Sequence, residues 1–261
     1  MHFYEKLESG EIIPQHFTPM TTKEGLRPTR VADVQKWWAD GKNVRPSVTT
    51  VYDVLGKPAL NNWFVEQHLE QAYSQSKQEW IDPADGRFIW NDSRQWIEEI
   101  KRLTELQMDK APSAGSDFHE WMHKAITGQT TVNRDLCESV MNVIREKTET
   151  EPLFWKAEEN FVSDMGYGGQ VDLITPDWII DYKTKQKADK FKPGKMVYED
   201  HSVQLAAYRE AVNPKARVAN CFVCLEDGQI EFVEHTQDQL VTGWRIFHHC
   251  LGIWYLRHGE N

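Results

Sequence analysis

The first 45 residues are predicted to form irregular or hairpin-like structure and then a short helix, and apolar positions recur at helical spacing from this helix to residue 147. Val31, Val34, Trp37 and Trp38 share one face of a short predicted helix. Ser47 has the side chain of an N-cap for a second short helix, which Gly56 would end. Longer amphipathic segments follow, interrupted by a predicted break at residues 111–115. They predict helices over about 59–76, 93–106, 118–126 and 134–147.

The pattern changes after residue 150. Residues 153–162, 169–174 and 178–183 have the composition of short strands separated by turns. A helix is predicted from near Ser202, and two more strands flank a hairpin turn at residues 226–228. Thr236 and Gln239 form a capping-box pattern at the start of a final helix. This order of elements predicts an α/β core that follows a mainly helical N-terminal half.

Composition narrows the class of protein. A hydrophobic content of 40% and a charged content of 27% fit an ordinary folded chain. We expect no membrane span and no signal peptide, because no apolar run reaches about 18 residues and the N-terminus lacks a basic start. The four cysteines are expected to be free thiols. A net charge of −10 disfavours a protein that coats DNA, since that affinity comes from Lys and Arg.

Two apolar segments contain the charged residues that indicate a catalytic site. Asp172 lies inside an apolar strand, where an unpaired carboxylate is costly. Asp181 and Lys183 are two residues apart on the next strand, so they share one face. The turn at residues 175–177 predicts a hairpin that brings Asp172 close to Asp181. An isolated D-x-K pair is usually a surface ion pair, but the apolar residues before Asp181 favour a site here.

The preceding strand offers another carboxylate. Alternation of Trp155, Ala157 and Phe161 onto one side selects Glu159 rather than Glu158 as the inward residue. Converging carboxylates repel one another unless a cation joins them, and oxygen ligands with open water positions suit Mg²⁺ or Mn²⁺. Such a metal activates water and polarises a phosphoryl oxygen, and a nearby lysine offsets developing negative charge. The pattern therefore predicts metal-dependent phosphodiester hydrolysis.

These segments resemble the PD-(D/E)XK nuclease superfamily, and within it the RecB-like exonucleases of the phage type. Residues 168–172, Gly-Gly-Gln-Val-Asp, and residues 179–183, Ile-Ile-Asp-Tyr-Lys, look like the family's G-x-x-D and D-x-K strands. Residues 115–119, Gly-Ser-Asp-Phe-His, are similar to its helical G-x-x-x-H motif. Gln204 and Tyr208 match the Q-x-x-x-Y helix of the RecB-like branch. The segment from Pro46 onward resembles the opening helix of phage-type members.

The resemblance implies a fold and a set of functional residues. The fold is a restriction-endonuclease-like α/β core at residues 113–261, with a mixed central sheet flanked by helices, and a helical lobe at residues 1–112 that forms a substrate channel. The implied metal ligands are His119, Glu159, Asp172, Asp181 and the carbonyl of Tyr182. Lys183 would be the catalytic lysine, with Gln204 and Tyr208 supporting the site or touching the substrate phosphate. Lysines beyond the site are predicted to contact DNA phosphates: Lys185, Lys187, Lys190 and Lys192.

The implied function is a metal-dependent DNA exonuclease that acts on DNA with a free end, in recombination, repair or phage DNA metabolism. A recombination or annealing protein is the expected partner, and the cytoplasm of a bacterium or of a phage-infected cell the expected location. An endonuclease on the same fold is the alternative. Some members hold an iron–sulfur cluster, but Cys221 and Cys224 are predicted on opposite faces of one strand, and Cys137 and Cys250 are distant in sequence.

Two other classes of function remain open. Residues 119–123, His-Glu-Trp-Met-His, are a literal H-E-x-x-H zinc metalloprotease motif. Helical spacing disfavours that reading, because Glu120 lies nearly opposite the apolar stripe and His123 lies towards the polar side. It also leaves Asp172 and Asp181 unexplained. A non-catalytic DNA-binding module, based on the lysine-rich segment after Lys183, is the third class.

Overall fold

The computed structural model describes residues 1–19, 25–56, 68–69, 72, 93–108 and 110–259. The chain divides into two compact units, one formed by Met1–Leu55 with Phe118–Asn261 and the other by Gly56–Asp117. The helix predicted over residues 59–76 lies almost wholly outside the described residues. The sequence-based division at residue 112 assigned Met1–Leu55 to the N-terminal lobe, whereas the structure groups this segment with the core. The role of residues 1–112 as a substrate channel stays a prediction.

A five-stranded sheet forms the centre of the first unit. Its strands are β6 (Lys156–Val162), β7 (Gly168–Ile174), β8 (Trp178–Lys185), β9 (Arg217–Cys224) and β10 (Ile230–Glu234). They lie in the order β10-β9-β8-β7-β6, and every neighbouring pair is antiparallel except the parallel pair β8–β9. The predicted mixed sheet is therefore confirmed.

Helices pack against both faces of this sheet. Neighbouring residues of β8 belong to different cores, as the two-residue period of a strand requires: Ile179 packs in one cluster and Ile180 in another. The cluster around Ile179 is formed with α6 (Glu199–Val212) and α7 (Gln237–His258). The cluster around Ile180 is formed with α4 (Lys110–Ile126) and α5 (Arg134–Thr148). No described helix is long and apolar enough to cross a membrane.

The N-terminal segment adds short strands and helices to the same unit. Its elements are β1 (Phe3–Lys6), β2 (Ile12–Pro14), β3 (Phe17–Pro19), β4 (Leu26–Pro28), α1 (Val31–Ala39), β5 (Val44–Pro46) and α2 (Val48–Tyr52). Strand β1 pairs with β2 and β5, and Ser47 forms a parallel bridge to Gly168 at the start of β7. The Ser47 hydroxyl accepts a hydrogen bond from the Thr50 N–H, so the predicted N-cap is confirmed. This segment is thereby joined to the central sheet.

Helix α3 (Ser93–Met108) precedes α4, and the predicted break at residues 111–115 is wrong. Helix α4 begins at Lys110 and includes that stretch. Pro112 stands in its first turn, where the missing N–H removes no hydrogen bond of the helix. Proline and glycine in residues 111–115 thus mark the beginning of a helix and not a gap before one. The helix predicted to begin at residue 118 is one of about five turns.

Candidate active site

Strands β7 and β8 are held together at the site by a side chain. Their ladder pairs only Leu173 with Ile180 and Ile174 with Ile179. At the next position the Asp172 carboxylate accepts a hydrogen bond from the backbone N–H of Tyr182, with an Oδ2–N distance of 2.7 Å. A carboxylate therefore replaces a backbone acceptor, which fixes Asp172 in a site where only 8% of the residue is exposed.

The carboxylate that β6 directs at the site belongs to Glu158, and the prediction of Glu159 as the inward residue is wrong. Glu158 Oε1 lies 3.7 Å from His119 Nδ1, whereas Glu159 is exposed and lines a separate surface groove. The reason is local: Glu158 has a φ of 57°, in the left-handed region, so the regular alternation of a strand is interrupted there. Such a conformation costs about 1–2 kcal/mol for a residue with a Cβ. This backbone conformation directs the Glu158 side chain towards the site.

Helix α4 supplies the histidine. His119 Nδ1 lies 3.3 Å from Asp172 Oδ1, and one ligand atom each from His119, Glu158 and Asp172 lie within 4.8 Å of one another. Burial opposes protonation of His119, but the carboxylates of Asp172 and Glu158 outweigh it and raise the pKa of His119 to about 10. The protonated His119 ring therefore supplies a positive charge beside the carboxylates of Asp172 and Glu158.

These three residues fit a divalent cation. The Oε1 atom of Glu158 is buried and has no hydrogen-bond partner among the described residues. A buried carboxylate oxygen without a donor is costly, and a cation would satisfy it. Two carboxylates and one imidazole are acceptable ligands for Mn²⁺ and Mg²⁺, which both retain waters in such sites.

Asp181 and Lys183 form the second part of the site. Lys183 Nζ lies 2.7 Å from Asp181 Oδ2, and the Asn220 amide donates to the same oxygen at 2.8 Å. Burial raises the pKa of Asp181 above its usual value, although the neighbouring Lys183 ammonium opposes this effect. Burial also opposes the charge of Lys183, but Asp181 and Asp172 raise the pKa of the lysine above its usual value. Because both donors use Oδ2, Oδ1 of Asp181 is the oxygen that can turn to a cation.

Helix α6 links the lysine to a buried tyrosine. The Gln204 Oε1 atom accepts a hydrogen bond from Lys183 Nζ at 3.2 Å, and its Nε2 donates to the Tyr208 hydroxyl at 2.9 Å. Gly169 leaves room for this tyrosine, since a Cβ there would lie 3.0 Å from the Tyr208 ring and 2.8 Å from the Phe161 ring. The glycine of the G-x-x-D strand thus permits the approach of the Q-x-x-x-Y helix.

The remaining predicted site residues are Tyr182 and the lysines that follow Lys183. The Tyr182 ring is buried, in edge-to-face contact with Phe118 and His119. Lys185 is partly buried, with its Nζ 5.8 Å from the centroid of the Tyr198 ring. The other lysines predicted to bind DNA are exposed, namely Lys187, Lys190 and Lys192. The roles given to the Tyr182 carbonyl and to these lysines stay predictions.

The sequence analysis did not identify two buried residues that are hydrogen-bonded to the site. Asn220 is fully buried on β9 and donates to Asp181, and His235, which follows β10, is 4% exposed and hydrogen-bonds Asn220 at 2.7 Å. The available signal was a lone amide inside the apolar run of residues 218–224, Val-Ala-Asn-Cys-Phe-Val-Cys. A buried amide needs partners, so this position could have been singled out.

The two histidines of the H-E-x-x-H motif differ in their relation to the candidate metal ligands. Within the described residues, the ligand cluster that contains His119 includes Glu158 and Asp172 but not His123. Glu120, the proposed general base of a protease, is exposed and forms an ion pair with Lys124. The arrangement therefore does not match the zinc protease interpretation.

All four cysteines are free and buried, and the prediction of free thiols is confirmed. Cys137 and Cys221 lie in the cluster around Ile180, Cys250 lies in the cluster around Ile179, and Cys224 packs in a third cluster. The four sulfurs are thus distributed over three regions of the core.

The fold and this site define a class of protein, the metal-dependent nucleases with a carboxylate–lysine centre. The model of the PD-(D/E)XK nuclease superfamily matches residues 93–246, which include all four motifs. The chain belongs to the PD-(D/E)XK nuclease superfamily. Nucleases of this superfamily use divalent metals and act on DNA, so the class of enzyme, of cofactor and of substrate follows from membership.

The chain is also similar to solved structures at low identity. A candidate exonuclease from Eubacterium rectale is 16% identical with a TM-score of 0.34, over 50% of this chain and 55% of that one, so only about half of that protein is spanned. The protein SSO0001 is 14% identical with a TM-score of 0.29, over 77% of this chain and 89% of that one. A search of curated proteins found no match.

Proposed function

We propose that this nuclease is a Mg²⁺- or Mn²⁺-dependent exonuclease that hydrolyses phosphodiester bonds of DNA from a free end. The observation that carries the proposal is the convergence of His119, Glu158 and Asp172 around a buried carboxylate oxygen that has no donor among the described residues. The Asp181–Lys183 pair nearby adds an ammonium group that can stabilise the charge that develops on the phosphoryl oxygens.

Each residue of the centre has a distinct task in this proposal. His119, Glu158 and Asp172 would hold the cation, with Asp181 Oδ1 and the Tyr182 carbonyl as further ligands. When bound, the cation supplies Lewis acidity to the scissile phosphoryl group and lowers the pKa of a water. Lys183, held by Asp181 and Gln204, orients the attacking water or offsets the charge that develops on the phosphoryl oxygens. Tyr208 fixes Gln204 from the buried side.

The exposed lysines after β8 make DNA binding compatible with the net charge of −10. Net charge describes the whole surface, whereas phosphate contacts depend on the local field. Lys187, Lys190 and Lys192 follow the strand that carries Lys183, so they are suited to contact phosphates adjacent to the scissile one. The positive charge of these exposed lysines therefore supports a DNA substrate.

Two kinds of DNA test the reaction. We expect the wild-type protein to degrade end-labelled linear DNA with Mg²⁺ or Mn²⁺, to be inactive with EDTA, and to leave covalently closed circular DNA intact. Cleavage of the circle would favour an endonuclease on the same fold. Lys183→Ala should lose most activity, and Lys215→Ala, an exposed lysine outside the site, is the matched control. A wild-type protein that leaves every DNA intact with either metal contradicts the proposal.

A binding module without catalysis is the competing function. Asp181→Asn removes a charge of the metal centre but none of the exposed lysines, so DNA binding should persist while cleavage is lost. Equal binding and no cleavage by both wild type and variant would favour the binding module. We place the nuclease in DNA recombination, repair or phage DNA metabolism in the cytoplasm, with a recombination or annealing protein as its partner.

A further inference from the structure

A chain of buried hydrogen bonds runs sideways through the sheet from Asp181. Asn220 Nδ2 donates to Asp181 Oδ2 at 2.8 Å, and His235 Nε2 lies 2.7 Å from Asn220 Oδ1. The three residues are 2%, 0% and 4% exposed, so water does not compete for these bonds. The chain crosses from β8 through β9 to the residue after β10.

The backbone fixes this chain in position. Asp181 and Asn220 are register partners in the parallel pair β8–β9. The backbone N–H of His235 donates to the Val218 carbonyl at 3.0 Å, which extends the β9–β10 pairing by one residue. The backbone therefore holds the Cα atoms of the three residues in fixed relative positions.

The chemistry of the partners determines the direction of every bond. A carboxylate only accepts, so Asn220 must turn its NH₂ group to Asp181 and its carbonyl oxygen to His235. His235 must then donate, which places its proton on Nε2. Burial lowers the pKa of His235, so the ring is the neutral tautomer. Its Nδ1 atom is buried and has no hydrogen-bond partner among the described residues.

We propose that Asn220 and His235 are positioning residues that select which oxygen of Asp181 faces the catalytic cation. Asn220 and Lys183 both hold Oδ2, so the carboxylate cannot rotate freely and Oδ1 is the oxygen left for the cation. Asn220 is the one amide in the apolar run of residues 218–224, and this task accounts for a buried polar chain at that position. The inference rests on the proposed function, because it assigns a purpose to residues that do not touch the substrate.

Two polar substitutions at residue 235 test the role of the donor. His235→Gln keeps an N–H group near the position of Nε2, whereas His235→Asn is equally polar but too short to reach Asn220. Loss of a group that orients a metal ligand typically weakens metal affinity or activity 10–100-fold. We expect His235→Asn to lose at least about 10-fold in Mn²⁺ affinity and in kcat, and His235→Gln to stay within about 3-fold of wild type on both measures.

Asn220→Leu removes the whole chain and should show the larger loss in Mn²⁺ affinity, measured by calorimetry on the full chain without DNA. Val223→Ala, a buried change on the same strand, controls for general loss of packing and should bind Mn²⁺ like wild type. Thermal unfolding identifies variants that do not fold. If Asn220→Leu does not fold, the two residue 235 variants still decide the matter.

Equal Mn²⁺ affinity of the two residue 235 variants would overturn the inference, because it would show that the donor to Asn220 has no effect on the metal centre. Wild-type affinity in folded Asn220→Leu would overturn it as well. Failure of the proposed function gives a different result: the wild-type protein would bind no Mn²⁺ or cleave no DNA. The two failures are therefore distinguishable.

Discussion

Glu158 and Glu159 offer an internal comparison, since they are adjacent residues of identical chemistry in different surroundings. Glu158 faces His119 and Asp172, and Glu159 lines a groove on the surface. Replacement of each by glutamine removes one negative charge and almost no volume. We expect Glu158→Gln to weaken Mn²⁺ binding strongly and Glu159→Gln to leave it unchanged.

The magnitude follows from Coulomb's law. Unit charges about 4 Å apart interact with roughly 4 kcal/mol at an effective dielectric constant of about 20. The Glu158 side chain is 22% exposed, so solvent screens part of this energy. A loss of about 1.5–3 kcal/mol remains, which corresponds to roughly 10- to 100-fold weaker binding of Mn²⁺. The exposed Glu159 should change the affinity less than about 2-fold.

Isothermal titration calorimetry with Mn²⁺, in the absence of DNA, measures both affinities directly. Thermal unfolding without metal should show that both variants are folded, because glutamine leaves no cavity at either position. If Glu159→Gln weakens Mn²⁺ binding as much as Glu158→Gln does, Glu158 has no special role in holding the metal. Wild-type Mn²⁺ affinity in folded Glu158→Gln would lead to the same conclusion.

Three further predictions concern stability and protonation. Gly169→Ala should lower the free energy of unfolding by about 1–3 kcal/mol in urea titrations, because its Cβ would press on the Tyr208 ring; an unchanged midpoint contradicts this. Arg27 holds the pKa of Asp33 at about 2, so this ion pair stabilises the fold at pH above about 4 and the benefit is lost as pH falls through 2. Because solvent screens part of this interaction, Asp33→Asn should cost about 1 kcal/mol at pH 7 and much less at pH 2, and a pH-independent difference would argue against the ion pair. Because His119 has a pKa of about 10 and must lose its proton to bind a metal, Mn²⁺ loading at pH 7.5 should release about one proton in calorimetry across buffers of different ionisation enthalpy; no release would contradict metal ligation by this ring.

Local pattern was enough for much of the sheet and for part of the site. Asp181 and Lys183 share a face because a strand alternates, and the hairpin at residues 175–177 follows from turn chemistry. The four-residue spacing of Gln204 and Tyr208 places them on one helix face, where they hydrogen-bond each other. Each of these inferences depends on residues close together in sequence.

The errors arose where a structure departs from regular geometry or depends on distant residues. The left-handed φ of Glu158 cannot be read from the periodicity of β6, so alternation selected the wrong neighbour. The bridge from Ser47 to Gly168 joins residues far apart in sequence, so local pattern could not indicate that Met1–Leu55 groups with the core. The bond from Asn220 to Asp181 likewise depends on the register of two strands separated by α6.

We propose above all that His119, Glu158 and Asp172 hold a divalent cation at which DNA is cut. Anomalous diffraction from crystals grown with Mn²⁺ and a DNA that resists hydrolysis would locate this cation. We expect a manganese peak at about 2.0–2.4 Å from one atom of each of the three side chains and from one phosphate oxygen. A manganese peak elsewhere, or a DNA backbone bound away from these residues, would contradict it.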